Sequence, residues 1–453
     1  MSEQSEIGQL VTAVFRAWHA AEINFLVLRN YENLPHSTTN DIDVLVSPAQ
    51  LRPAEQILLA AARDTGFRLH NRAEFATLAL YFSRPDPTAQ VHFDLFTALK
   101  WRGFDFLDCP DFLERKIQRG SFAVPLPAHE AATNLLASMI FTGKVKEKYK
   151  PSIAAGFRAE PKAAADLLAG TCGPVHANFL VQAGAQEQWK EIEARTGALR
   201  RSLIFRQLTR RPLRTLASLL TDAVRLTRRF LRPPGLTVVL CGADGSGKST
   251  AADAVIATLS PTFSPLKGRH FHWKPPVFSA KRQAQRPPAT DPHNEPVRNP
   301  LLSLVYFSFH SLEFFIGSHL RIRPVTFKGG LVLIDRFYYD FFVDQRRYRL
   351  RVPQSIIKLG YRLLQKPDLV VLLDAPAQVL QSRKQEVPLA ETERQCQAYR
   401  ELIKGLKQGR VVDAAQSPEK VAAELTTVIL DFMAQRARTR CDAPDPQAKP
   451  PPP

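Results

Sequence analysis

The residues from Gly242 to Ser249 read GADGSGKS. Glycines five positions apart, the second followed directly by lysine and serine, fit G-x-x-x-x-G-K-[ST]. Each residue type has a physical reason to be there. Gly242, Gly245 and Gly247 let backbone N–H groups turn inward and approach phosphate oxygens closely. A helix that begins at this point adds the positive end of its dipole. Lys248 can reach the outer phosphates, and the Ser249 hydroxyl can ligate Mg²⁺. Asp244, Ser246 and Thr250 complete the candidate nucleotide-binding set. The flanking sequence agrees: LTVVLC precedes the loop as an apolar strand, and STAADAVIATL continues it as a helix.

Such a loop does not by itself separate kinases from other nucleotide hydrolases. Later residues narrow the choice. GLVLID reads as a strand ending in Asp335 and Arg336, and DLVVLLD as another ending in Asp374. Strand ends in a parallel sheet face the ligand crevice. QSRKQEVPLAETER supplies Arg383 and Lys384 in a charged stretch suited to a lid. Arg336, with its planar fork, suits an anionic acceptor. Asp374 reads as structural. The long segment between Thr250 and Asp335 is basic and rich in His and Pro. Within it His270, His272, Trp273 and Lys274 are candidate acceptor contacts.

From about residue 235 to 435 the chain resembles the thymidylate kinase family of P-loop nucleoside-monophosphate kinases. The likeness rests on the complete loop, on Asp244 within it, on Asp335-Arg336-Phe337 and on Arg383-Lys384. It implies that Lys248, Arg383 and Lys384 neutralise charge on the transferred group, that Arg336 clamps an anionic acceptor, that Asp335 organises Mg²⁺-bound water or the attacking oxygen, and that ATP and Mg²⁺ are the cofactors. The long segment after the loop departs from that family, so the acceptor expected is a nucleotide or a sugar-like or phosphorylated small molecule rather than dTMP in particular.

A second constellation lies near the start. In DIDVLV, Asp41 and Asp43 fall on one face of a strand, because side chains alternate, while Ile42, Val44 and Val46 face a core. VHFDLF offers Asp94 on a neighbouring strand. Three carboxylates so placed can hold Mg²⁺. Residues 20–125 resemble the polymerase-beta-type nucleotidyltransferase superfamily, which implies Asp41, Asp43 and Asp94 as metal ligands. The Gly-Ser pair of that superfamily is absent, and Arg29-Asn30 stands near its place.

The elements that must hold these residues give an α/β expectation. Residues 1–125 read as an α/β nucleotidyltransferase-like domain and 126–232 as a helical region. Residues 233–438 read as a P-loop kinase-like domain with a parallel sheet covered by helices, and 439–453 as a disordered Pro-rich tail. Strands are expected at NFLVLRN, DIDVLV and VHFDLFTAL, and a helix at PAEQILLAAARDTGF.

Residues 195–232 carry eleven arginines against one acidic residue, Asp222. Leu216, Leu219, Leu220, Val224 and Leu231 could form one apolar stripe. Such a helix reads either as a solvated connector or as a basic amphipathic helix for an anionic membrane surface. Nucleic acid is the weakest of the partners that a net charge of +18 would suit. Five cysteines without pairing or metal spacing point to a reducing compartment. The N-terminus has no basic stretch followed by an apolar run, so the expectation is a cytoplasmic protein, peripheral at the inner face of the membrane if the basic helix docks there. Residues 301–320 are long and apolar enough to span a bilayer, but His310, Glu313 and His319 favour a buried helix of a soluble domain.

The leading expectation is thus a kinase fused to a nucleotidyltransferase-like domain. The alternatives are an Mg²⁺-dependent nucleotidyltransferase with an accessory kinase-like half, and a nucleotide-gated adaptor at the membrane surface.

Overall fold

The computed structural model describes residues 5–38, 41–84, 89–259, 263, 268–275, 277, 293 and 295–441. The Pro-rich tail beyond 441, and most of the segment from 276 to 294, lie outside the described residues. The chain divides into two compact units, residues 1–231 and 232–453.

In the first unit β1 (Phe25–Val27), β2 (Ile42–Val46), β3 (Arg68–Glu74), β4 (Leu78–Ser83) and β5 (Gln90–Phe96) form one mixed sheet in the order β1-β2-β5-β4-β3. Only β2 and β5 run parallel to each other; the other pairs are antiparallel. Alternation decides the two faces. Phe25, Val27, Ile42, Val44 and Val46 pack with Val14, Phe15 and Trp18 of the Glu6–Ala20 helix and with Leu58 of the Leu51–Asp64 helix. Leu26, Leu28 and Leu45 point the other way, into a core shared with the helices between Pro127 and Arg210. The helical region therefore covers the second face of the sheet. Two hairpins, β6 (Leu99–Trp101) with β7 (Phe104–Leu107) and β8 (Lys116–Arg119) with β9 (Phe122–Pro125), complete the unit.

The arginine-rich stretch is not one helix. It breaks at Arg211, where ψ of 56° leaves helical geometry, and Pro212 starts a second helix running to Leu231.

The second unit holds β10 (Leu236–Cys241), β11 (Arg269–His272), β12 (Leu331–Asp335), β13 (Leu369–Asp374) and β14 (Gly409–Asp413). Their order is β11-β12-β10-β13-β14, and every pairing is parallel. β10 lies in the middle and is buried throughout, as a strand covered on both faces must be. Leu236, Val238 and Leu240 meet Ala252 and Val255 of the Lys248–Leu259 helix and Leu425, Ile429 and Met433 of the Pro418–Cys441 helix. Val239 and Cys241 meet Phe307, Phe314 and Tyr338 on the opposite side.

The Pro300–Gly317 helix departs from the expectation of a buried helix. Phe307, Glu313, Phe314 and Gly317 face inward, while Leu301, Val305 and Leu312 are exposed. With the turns that continue it to Phe327 it is long and apolar enough to cross a membrane, yet only 33% of its apolar 18-residue stretch is buried. Its inward face carries the one carboxylate that sequence hydropathy counted against a span. Glu313 is paired with Lys274, and both are buried.

Candidate functional site

The loop from Gly242 to Gly247 leaves the C-terminal end of β10, and the Lys248–Leu259 helix starts where it ends. Gly247 has φ of 78° and Gly242 φ of 145°, regions that an L side chain rarely adopts. A Cβ at Gly242 would also come within 2.7 Å of the Leu373 carbonyl oxygen. The glycine spacing seen in the sequence is thus required by backbone conformation and by the approach of β13.

Lys248 is buried at the centre of the loop. Its Nζ donates to the carbonyl oxygens of Gly242 at 2.9 Å and Ala243 at 3.0 Å, and to Ser246 Oγ at 3.3 Å. Burial lowers its pKa, and the negative charges of Asp335 and Asp340 oppose that shift. Thr250 stands exposed one position into the helix beyond Ser249.

β10 and β12 run in register with Leu240 opposite Asp335, so both strands end at the same level. Ser249 Oγ donates to Asp335 Oδ2 at 2.6 Å. His272 Nδ1, at the end of β11, lies 3.2 Å from the same oxygen. Burial alone would raise the Asp335 pKa. His272, Lys248 and Ser249 outweigh it and hold the carboxyl below its ordinary range. The other carboxylate oxygen, Oδ1, is buried without a hydrogen-bond partner among the described residues. An ionised carboxylate with one oxygen unsatisfied beside a serine hydroxyl is a donor set that fits a hard divalent cation such as Mg²⁺.

Arg336 follows Asp335 with φ of 65°, an uncommon backbone for arginine. That conformation carries its guanidinium to Asp244 of the loop. Arg347 pairs with the same Asp244 and, at 2.9 Å, with Glu386. Asp340 accepts from Tyr348 Oη and Tyr399 Oη, each at 2.9 Å. Trp273 stacks on Tyr348 with ring centroids 4.9 Å apart. Two arginines therefore meet one carboxylate beside an aromatic wall.

Several expected roles change at this level of detail. Arg383 does not point to the glycine loop: its guanidinium donates to the carbonyl oxygens of Ala414 at 2.7 Å, Ala415 at 3.2 Å and Gln416 at 3.3 Å. Lys384 pairs with Glu386 at 2.5 Å. His270 pairs with Asp253 rather than with the loop. Lys274 is turned to Glu313 and His310. Asp374 holds Arg400 at 2.8 Å, which agrees with a structural role. Arg347 escaped the sequence reading, because nothing in DQRRY distinguishes it from its neighbour Arg346.

In the first unit Asp43 stands opposite Asp94 on the parallel pair β2 and β5. The three groups whose ligand atoms lie within 4.8 Å of one another are nevertheless Asp41, His92 and Asp94. Asp43 is turned to Arg29, whose Nε lies 2.5 Å from its Oδ2. Burial raises the Asp43 pKa against the pull of Arg29. His92 Nδ1 is 3.0 Å from Asp41, its Nε2 is 3.4 Å from Asp94, and its ring stacks on Tyr81. Burial would lower its pKa, but the two carboxylates raise it to about 9. His92 was legible in principle, since in VHFDLF it shares a strand face with Asp94. A second His-carboxylate cluster, His293, Asp344 and Glu391, is closed by Gln395 and Arg394.

No family model matches the chain. A thymidylate kinase of Thermosynechococcus vestitus (strain NIES-2133 / IAM M-273 / BP-1) is 26% identical to it over 205 residues, which cover 41% of this chain and 83% of that relative. The similarity supports a distant, kinase-like relationship.

Proposed function

We propose that the second unit is an ATP-dependent phosphotransferase, which passes the γ-phosphoryl group of ATP to a nucleotide or to a sugar-like or phosphorylated small acceptor. The observation that carries this reading is the meeting of Lys248, Ser249 and Asp335 at the ends of two adjacent parallel strands. The distant similarity to a thymidylate kinase supports the same class.

The division of labour follows from the geometry. The loop's backbone N–H groups and Lys248 hold the phosphate chain and counter its charge, where most catalysis of phosphoryl transfer originates. Ser249 and Asp335 are the residues that would hold Mg²⁺, which when bound with the nucleotide neutralises charge on its phosphate oxygens. Arg336 and Arg347 orient an anionic acceptor, with Asp244 holding both forks in place. The acceptor's oxygen forms the new bond to phosphorus as the bond to the leaving ADP breaks. The test is ADP formation with nucleoside monophosphates, sugars and sugar phosphates, comparing the wild type with Lys248→Ala. Acceptor-dependent ADP that survives in Lys248→Ala would refute the reading.

A second reading concerns the first unit. The convergence of Asp41, His92 and Asp94, with Asp43 alongside, favours a divalent cation and a nucleotidyl transfer there. Mg²⁺-dependent pyrophosphate release that disappears in Asp41→Asn and Asp94→Asn would support it. Absence of pyrophosphate with every nucleoside triphosphate would remove it.

A further inference from the structure

The Pro212–Leu231 helix packs on its own unit the wrong way round for a soluble protein. Thr215, Ser218, Asp222, Arg225 and Arg229 face inward. Ser218 Oγ accepts from Lys100 Nζ at 3.0 Å, and Thr215 Oγ1 donates to the Gln207 carbonyl at 3.0 Å. Arg225 binds both Asp222 and the Phe75 carbonyl oxygen, and the Arg229 guanidinium lies 5.1 Å from the Phe75 ring centre. Leu219, counted in the apolar stripe from sequence, instead packs inward against Gly103.

The true stripe faces outward. Leu213 is 82% exposed, Leu216 55%, Leu220 60%, Val224 47% and Leu231 67%. At 100° per residue these five fall within an arc of roughly 80°. Exposed Arg228 and Arg214 follow directly along one edge of that arc. The 20-residue helix is about 30 Å long. An exposed leucine seam of that length, edged by arginine, is unusual for a surface facing only water.

We infer that this outward leucine seam docks on an anionic lipid surface, with the seam in the acyl boundary and the arginines at the headgroups. Charge decides between lipid and a second copy of the chain. A copy would bring the same arginines against one another, adding to a net charge of +18, whereas an anionic surface neutralises them. The inward polar contacts leave the seam free to enter a bilayer without unfolding the unit. The proposal is independent of the kinase reading, since neither the seam nor its arginines belong to the phosphate loop.

The experiment is co-sedimentation of the full chain with phosphatidylcholine vesicles, with and without phosphatidylglycerol, at low and high salt. Binding is expected only with phosphatidylglycerol and is weakened by salt. Arg228→Gln should weaken it about fivefold. Leu216→Gln with Leu220→Gln should weaken it by about tenfold or more. Both leucines are exposed, so circular dichroism and melting should be unchanged. No binding to the anionic vesicles, or binding that ignores the leucine substitutions, would overturn the proposal. A wild-type dimer that the leucine variant turns into a monomer, without vesicle binding, would overturn it in favour of a second copy.

Discussion

The Ser249 hydroxyl donates to the Asp335 carboxylate across 2.6 Å, although 86 positions separate them in the chain. Parallel pairing of β10 and β12 produces that contact. Removing the buried carboxylate's charge should therefore disable transfer without dissolving the fold. Asp335→Asn and Lys248→Ala are each expected to lower kcat for acceptor-dependent ADP formation by about 10²–10³. Ser249→Ala should cost less. Equal rates in wild type and Asp335→Asn would contradict the assignment.

Arg347 shares Asp244 with Arg336 and is the less exposed of two adjacent arginines. Loss of its fork should fall on the acceptor rather than on ATP. Arg347→Ala is expected to raise the acceptor KM about tenfold, the worth of one charged hydrogen-bonding group. The KM for ATP should stay the same. A change in the ATP KM alone would place Arg347 on the donor side.

Arg383 holds the chain at Ala414–Gln416 through three carbonyl oxygens. A lysine cannot reproduce that fork. Arg383→Lys and Arg383→Ala should therefore behave alike, changing kcat less than about tenfold while lowering the melting temperature. If instead kcat falls by about 10² or more and Arg383→Lys restores it, the group acts by charge on the transferred phosphoryl.

His92 titrates near 9 in the folded chain against an ordinary 6.5. A raised histidine pKa means that the folded state binds the proton more tightly. Its contribution to stability is then complete below about pH 6.5 and is lost as pH rises through about 9. Thermal unfolding midpoints of the wild type should fall across that window. The part of the slope due to this group should be missing in His92→Gln. The same slope in both proteins would show that the ring is not charged there.

Lys274 and Glu313 form an ion pair inside the second unit, with almost no side-chain exposure on either partner. Glu313→Ala takes the carboxylate away from the buried Lys274 ammonium and should destabilise the unit by about 3–5 kcal/mol in denaturant unfolding. The double change Lys274→Met and Glu313→Leu should recover most of that loss. Failure of the double variant to recover would mean that other partners of the pair dominate.

What the sequence made legible follows from periodicity and spacing. The apolar runs LTVVLC, GLVLID and DLVVLLD are β10, β12 and β13, because a strand buried on both faces must be continuously apolar. The glycine spacing of the loop was readable for the same reason: backbone conformation limits it to one residue type. DIDVLV also alternated as expected, sending Ile42 and Val44 to one core and Leu45 to the other.

Illegible features depend on pairing at a distance. β11 reads RHFH and β14 GRVVD, both at sheet edges with partly exposed residues, so neither has an apolar signature. β3 was not read as a strand either, since RLHNRAE is mostly polar, whereas β4, LALYFS, is buried throughout and its apolar run was readable though not read. Asp43 looked like a metal ligand because alternation fixes its face, but alternation cannot reveal that Arg29 stands across from it. The inversion of the Pro212–Leu231 helix was equally hidden. Composition shows that a helix has two faces and leaves open which one meets the protein.

β10 is flanked on both edges by paired strands and on both faces by core layers. Its amides can exchange with solvent only when most of the second unit opens, so Val238 to Leu240 should be among the slowest-exchanging sites in the chain. The loop that begins at Gly242 is thereby moored to the part of the unit that opens least often. The backbone conformation that Gly242 and Gly247 set at its two ends should persist through the fluctuations that loosen the rest of the unit.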